Sequence, residues 1–153
     1  MHLDLMRDKA KQMPAIADFA AVTSLRVWHC AYRTLEPLAA FSNLRSLIIA
    51  TIPDASLEFL SPLAKLRYLR VVHLPKVTDL GPLAKLAGLQ SLSLETLPSW
   101  DASGKKTVVE SLEPISTIDG LEHLSLLGVV SNDQSLSVIE HCKTLRSARF
   151  HGF

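Results

Sequence analysis

Apolar residues recur at every third position along nearly the whole chain, and each run closes on a step of two. The clearest run is DLGPLAKLAGLQSLSL, Asp79 to Leu94, which carries Leu80, Leu83, Leu86, Leu89, Leu92 and Leu94. A spacing of three suits a 3₁₀ or helical turn, and a spacing of two suits a strand with one buried face. Each run therefore predicts a turn feeding a short strand. A bundle of amphipathic helices is excluded, because a spacing of three sustained over several turns drifts around a 3.6-residue helix.

The ladder can be laid down six times. The copies are Ile16, Phe19, Val22, Leu25, Trp28, Cys30; then Leu35, Leu38, Phe41, Leu44, Leu47, Ile49; Leu60, Leu63, Leu66, Leu69, Val72, Leu74; the Leu80 series; Leu112, Ile115, Ile118, Leu121, Leu124, Leu126; and Leu136, Ile139, Cys142, Leu145, Ala148, Phe150. The fourth positions fall at 25, 44, 69, 89, 121 and 145, so the steps are 19, 25, 20, 32 and 24 residues. Turn-plus-strand units of about 20–29 residues are leucine-rich repeats, and three or more stack into a continuous core. The fold class is α/β, a leucine-rich-repeat solenoid.

The segment TDLGPLAKLAGLQSLSL resembles the internalin-type leucine-rich repeats, with their phrase T-D-L-x-P-L-x-x-L-x-x-L-x-x-L-x-L. Proline recurs at the first turn as Pro37, Pro62, Pro82 and Pro114, where its missing N–H is no loss. The resemblance covers roughly residues 16–153. It implies a curved solenoid with parallel strands on the concave face, short helices or 3₁₀ turns on the convex face, and a bacterial source. The family usually has Asn three residues after the last strand leucine. Here Arg33, Ile52, Val77, Leu97, Val129 and Phe153 stand there, so apolar packing replaces most of that ladder.

Strands are predicted near Trp28, Leu47, Val72, Leu92, Leu124 and Ala148, with turns around 35–41, 57–66, 80–87, 112–118 and 134–142. Residues 1–15 mix Leu3, Leu5, Met6, Ala10 and Met13 with charges, which predicts a capping helix ahead of a repeat domain at 16–153, a single domain overall. The sixth strand has no polar segment after it, and a bare strand edge invites pairing. A weak homodimer through residues 145–153 is the expectation there.

The net charge of +1 gives no push toward nucleic acid or membrane. No apolar run reaches the ~18 residues of a membrane span, and MHLDLMRDKAKQM lacks an apolar leader core. A cytoplasmic location is expected. Cys30 and Cys142 lie five strand steps apart, roughly 24 Å, beyond disulfide reach.

Residues flanking the strand ladder should face the concave side. The candidate binding residues there are Arg26, His29, Arg45, Ile48, Arg70, His73, Glu95, His123, Arg146 and Arg149. Five arginines against Glu95 and Glu122 give that side +3, which suits a protein partner with an acidic patch. The small excess and the scarcity of aromatics argue against nucleic acid. The longest step contains PSWDASGKKTVVE, 98–110, a loop by composition. Its Trp100, Lys105 and Lys106 add a candidate contact. His29 and His73 share a column two strands apart, roughly 10 Å, too far to share a zinc ion. Ser93, Ser125 and His123 lack an oxyanion nest. No cofactor motif is present. The expectation is a non-catalytic protein-binding module, in its sharpest form an inhibitor or immunity protein of a toxin enzyme. The alternative is a structural or assembly protein that self-associates through its C-terminal strand edge.

Overall fold

In the computed structural model, which describes residues 1–96 and 104–153, seven strands form one parallel sheet. They are β1 (His2–Met6), β2 (Ser24–Trp28), β3 (Ser46–Ala50), β4 (Tyr68–Val72), β5 (Ser91–Glu95), β7 (His123–Leu127) and β9 (Ser147–His151), adjacent in that order. β6 (Thr107–Val109) and β8 (Val129–Ser131) pair in parallel as a small second sheet. The convex side carries 3₁₀ turns at Phe19–Ala21, Glu36–Ala40, Glu58–Leu60, Gly81–Lys85 and Ser137–His141, and one α-helical turn at Glu113–Ser116. Five of these fall inside the predicted ranges. Pro37, Pro82 and Pro114 open their turns as expected, but Pro62 lies just past its own.

The cross-strand register fixes the true ladder. Leu3, Leu25, Leu47, Leu69, Leu92, Leu124 and Ala148 align across the sheet, and so do Leu5, Val27, Ile49, Val71, Leu94, Leu126 and Phe150. Leu25 to Leu124 in the first set are at most 2% exposed, and each such leucine contributes roughly 1.5–3 kcal/mol by its burial. Two of the six copies were therefore read one rung late. Trp28 and Val72 are not the central inward residues of β2 and β4 but their last residues, on the row that alternation turns to the other face, where Trp28 is half-buried and Val72 is buried. Both are apolar and three residues past the real rung, so the spacing of three runs on through them. The Asn-equivalent positions in these copies are accordingly Cys30 and Leu74, not Arg33 and Val77.

The N-terminal capping helix is also corrected. His2–Met6 alternates outward His2, Asp4 and Met6 with inward Leu3 and Leu5, a period of two that makes a strand. Residues 7–11 then run beside the chain after β2, with Arg7 N–H donating to Trp28 O, Ala31 N–H to Asp8 O and Arg33 N–H to Lys11 O. Asp8 takes the Asn-equivalent place and accepts from Ala10 N–H and the Tyr32 hydroxyl. These two bonds, the backbone one first, hold its carboxyl below the usual range.

Each strand must turn sharply to reach the convex side. The residue after the strand has positive φ in six of seven cases, namely Arg7, His29, Thr51, His73, Gly128 and Gly152. Thr96, after β5, is the exception. Its hydroxyl is 2.7 Å from that of Thr107. Residues 107–109 were expected to be loop. The β-branched run Thr-Val-Val instead finds a partner in Val129–Ser131.

Candidate functional site

Three outward rows cover the concave face. The first reads His2, Ser24, Ser46, Tyr68, Ser91, His123 and Ser147. The second reads Asp4, Arg26, Ile48, Arg70, Ser93, Ser125 and Arg149. The third reads Met6, Trp28, Ala50, Val72, Glu95, Leu127 and His151. Of the expected residues, Arg26, Ile48, Arg70, Glu95, His123 and Arg149 lie on these rows. Arg45 and Arg146 immediately precede β3 and β9, so they stand on the rim where strands begin. Arg67, which precedes β4, belongs with them. His29 and His73 are positive-φ exit residues on the opposite rim, not members of the face.

The face carries side chains that the ladder reading hid. Trp28 is half-buried with its ring edge-on to His29, at 5.3 Å between centroids. Tyr68 is 37% exposed and Met6 45%. With half-buried Ile48 they give the N-terminal half of the face its large apolar and aromatic side chains, beside the charged Asp4 and Arg26. The signal that would have exposed them is the repeat length. Counted from Leu3, the aligned rungs are spaced 22, 22, 22, 23, 32 and 24, far more even than the steps read from the shifted frame.

Charge on the floor of the face is largely paired. Arg26 grips Asp4 through Nε at 2.8 Å and a terminal nitrogen at 3.3 Å. This bond, first among the causes, holds the Asp4 carboxyl below its usual range. Arg70 Nε lies 2.5 Å from a Glu95 carboxylate oxygen, and Ser93 Oγ donates to the same oxygen at 3.2 Å. Glu95 is 5% exposed, and its hydrogen bond raises the Arg70 pKa. Arg146 approaches Glu122 only at 3.7 Å, with the arginine 75% exposed, a weak pair. Positive charge outside close ion pairs therefore concentrates on the strand-entry rim, at Arg45, Arg67 and the weakly paired Arg146, and at Arg149 on the floor.

The two histidines of the first row each bond a serine one strand away: His2 Nδ1 to Ser24 Oγ at 2.8 Å, and His123 Nδ1 to Ser147 Oγ at 2.7 Å. His123 thus pairs with Ser147, not with Ser93 or Ser125. His2 Nε2 also lies 3.1 Å from Asp4, completing a Ser–His–Asp chain. Acyl transfer needs in addition donors aimed at an oxyanion and a site shielded from water. Here His2 is 51% and Asp4 40% exposed, on an open sheet. Among the described residues, no group of three or more His, Cys, Asp or Glu is placed to hold a metal ion. No helix among them is long and apolar enough to cross a membrane.

Trp100 lies outside the described residues. Lys105 and Lys106 are exposed, and Lys106 Nζ donates to the Gly152 carbonyl beyond β9. Thr96 and Thr107, at the base of the intervening segment, follow Glu95 and flank Leu127 and Gly128: Thr96 N–H donates to Leu127 O, and Thr107 N–H to Gly128 O. Thr96 and Thr107 therefore stand on the exit rim of the face, beside its C-terminal half.

No family model and no curated protein matches the chain. Among solved structures it is similar to internalin C2 of Listeria monocytogenes, with TM-score 0.60 and 17% identity over 93% of this chain and 68% of that one. It is similar also to internalin F of the same organism, with TM-score 0.62 and 19% identity over 97% of this chain and 47% of that one. The chain thus spans about half the length of internalin F. Strand order, even repeat length, convex 3₁₀ turns and these likenesses agree on one fold, a leucine-rich-repeat solenoid of the internalin type.

Proposed function

We propose that this chain is a non-catalytic protein-binding module that holds a folded partner on its concave face. The observation that carries the reading is the row structure of that face. Trp28, Tyr68, Ile48 and Met6 stand outward on strands whose opposite sides are locked in the core. Large aromatic side chains on a rigid scaffold are the usual anchors of protein interfaces. The rim arginines Arg45, Arg67 and Arg146 supply steering toward an acidic patch. An inhibitor or immunity protein of a toxin enzyme is the sharpest form of this reading, since an open face suits a large interface.

The test is a kinetic split on a captured partner. Trp28→Ala should speed dissociation, because an anchor acts after docking. Charge reversal at Arg45 and Arg67 should slow association and flatten its salt dependence. If both rates are unchanged in all variants, the interface lies elsewhere.

A second reading is favoured by the C-terminal end. Ala148 is exposed where Leu25, Leu47, Leu69, Leu92 and Leu124 of the same row are buried, and Leu136, Ile139, Cys142, Leu145 and Phe150 are only half-buried. A second copy pairing along β9 would cover them. Ser147 N–H donates inward to Glu122 O, so by alternation the Ala148 N–H points to the open edge. Ala148→Pro removes that donor. Sedimentation should then show self-association in the parent that the variant lacks; a parent monomeric at millimolar concentration refutes this reading.

A further inference from the structure

The C-terminal half of the concave face differs in kind from the aromatic half. Ser93 and Ser125 stand in the row that elsewhere carries Arg26, Ile48 and Arg70, and with Ser91 and Ser147 they leave a recess of about 240 Å³, bounded by Tyr68, Arg70, Glu95, His123, Leu127 and Arg149. Short side chains make this dip while Leu92 and Leu124 close its floor from the core side. The recess spans four strands, roughly 14 Å at ~4.8 Å per strand.

The charges inside it do not cancel evenly. Glu95 is satisfied by Arg70 and Ser93. Arg149, at the far end of the same row, makes no ion pair with any described residue. Its register neighbour is Ser125. The hydroxyls of Ser91 and Ser125 have no hydrogen-bond partner among the described residues. His123 spends Nδ1 on Ser147 and has no such partner at Nε2. One guanidinium, two hydroxyls and one imidazole nitrogen thus converge on the dip with hydrogen-bonding capacity unused. Two hydroxyl donors, and His123 Nε2 in the tautomer or charge state that puts its proton there, gathered round a single uncompensated cation are complementary to an anion, and a guanidinium matches a carboxylate in two-point geometry.

A free small anion is a poor occupant. Small-molecule sites enclose most of their ligand, whereas this dip lies open on the sheet and would leave such an anion largely hydrated. A carboxylate delivered on a protruding loop has its entropy cost met by the rest of an interface. We propose that the recess is a specificity pocket for one Asp or Glu side chain at the tip of a partner protein's loop, seated against Arg149, Ser125 and His123, with Tyr68 as its wall. This rests on the concave-face reading and adds the side-chain class that the C-terminal half selects.

A phage library of disulfide-constrained random loops, panned against the immobilised protein, tests it. Enriched loops should share a carboxylate. Changing it to the amide should weaken binding about tenfold or more, as expected for losing a charge-assisted pair. Arg149→Gln should cost the acidic loop the same factor and the amide loop almost nothing. Ser125→Leu, which fills the dip, should abolish binding while circular dichroism and the denaturation midpoint show an intact fold. The proposal is overturned if no carboxylate-bearing loop is enriched, or if such loops bind Arg149→Gln and Ser125→Leu as tightly as the parent. If they ignore both variants but lose affinity for Trp28→Ala, the concave-face reading stands and the pocket falls. If they ignore all three, both fall.

Discussion

Gly128 should be the least replaceable small residue in this chain, and Gly120 supplies its control. Gly128 has φ +72, and a Cβ there would lie 1.9 Å from the Thr96 carbonyl oxygen, where real contacts stay above 3.0 Å. Thr96 must therefore retreat by about 1.1 Å, the difference of those two distances. It is held by its N–H on Leu127 O at 2.7 Å and its hydroxyl on Thr107 at 2.7 Å, while Gly128 itself donates to His151 O at 2.9 Å. Stretching two or three such bonds costs about 1 kcal/mol each. An alanine in the left-handed region adds about 1 kcal/mol, partly offset by a stiffer unfolded chain. The sum is roughly 2–4 kcal/mol for Gly128→Ala. Gly120 has φ +82 with nothing within 4 Å of the added carbon, so Gly120→Ala carries the backbone cost alone, about 1 kcal/mol. Urea denaturation followed by circular dichroism measures both. Equal losses within about 0.5 kcal/mol would show that the Thr96 approach is not tight and that the base of the 97–106 segment is not pinned as described.

Leu92→Ala should cost about 2–5 kcal/mol by denaturant unfolding, and Leu145→Ala less, because Leu92 is 1% exposed and Leu145 only half-buried. Arg70→Ala should destabilise more than Arg70→Ala combined with Glu95→Gln, since the single change strands a buried carboxylate; a double-mutant cycle reads the difference. Tyr32 gives a pH test. Burial first, then its bond to Asp8, raises its pKa above the usual value. A raised pKa means that this stability is complete below the unfolded tyrosine pKa near 10 and is lost as pH climbs beyond it. Tyr32→Phe should therefore be less stable than the parent at pH 7, by about 0.5–1.5 kcal/mol for the lost bond, with the gap closing above pH 10 in denaturation midpoints.

The architecture was legible because burial repeats. A spacing of three on the convex turns and two on the strands can be met only by stacking each unit on the next. What misled was local. Trp28 and Val72 continue the spacing of three beyond the buried rung, and nothing within a single copy distinguishes Leu25–Val27 from Trp28–Cys30. Only comparison between copies does, because stacked strands must keep a common register. The same comparison recovers β1, since Leu3 and Leu5 precede Leu25 and Val27 by one repeat of 22 residues. The slip mattered more for the site than for the fold. A shift by an odd number of residues, here three, exchanges the faces of a strand, so the ladder takes in Trp28 and Val72 and passes over Val27 and Val71, the residues that point into the core. The pairing of Arg70 with Glu95 was hidden for another reason. Those residues are 25 apart in sequence, and they meet through being one row apart on neighbouring strands.

The one irregular exit explains why the insertion is tolerated where it is. Every other strand of the main sheet is followed by a residue in the left-handed region, and after β1 to β4 the chain then passes to the next convex turn. Thr96 is not in that region, so the chain is free to run on from that point without breaking a turn that its neighbours share. The extra length costs little, because loop-closure entropy grows only with the logarithm of length, about 0.6 kcal/mol per doubling. Its return is fixed by Thr107 against Thr96 and by β6 against β8. The next strand then resumes in register, Leu124 beside Leu92. The solenoid thus gains a segment at the rim beside Glu95 and Leu127 without disturbing the stack. Both residues also border the serine-lined recess, so Thr96, the one exit residue of the main sheet without a positive φ among the described residues, stands next to the part of the face where hydrogen-bonding groups are left unused.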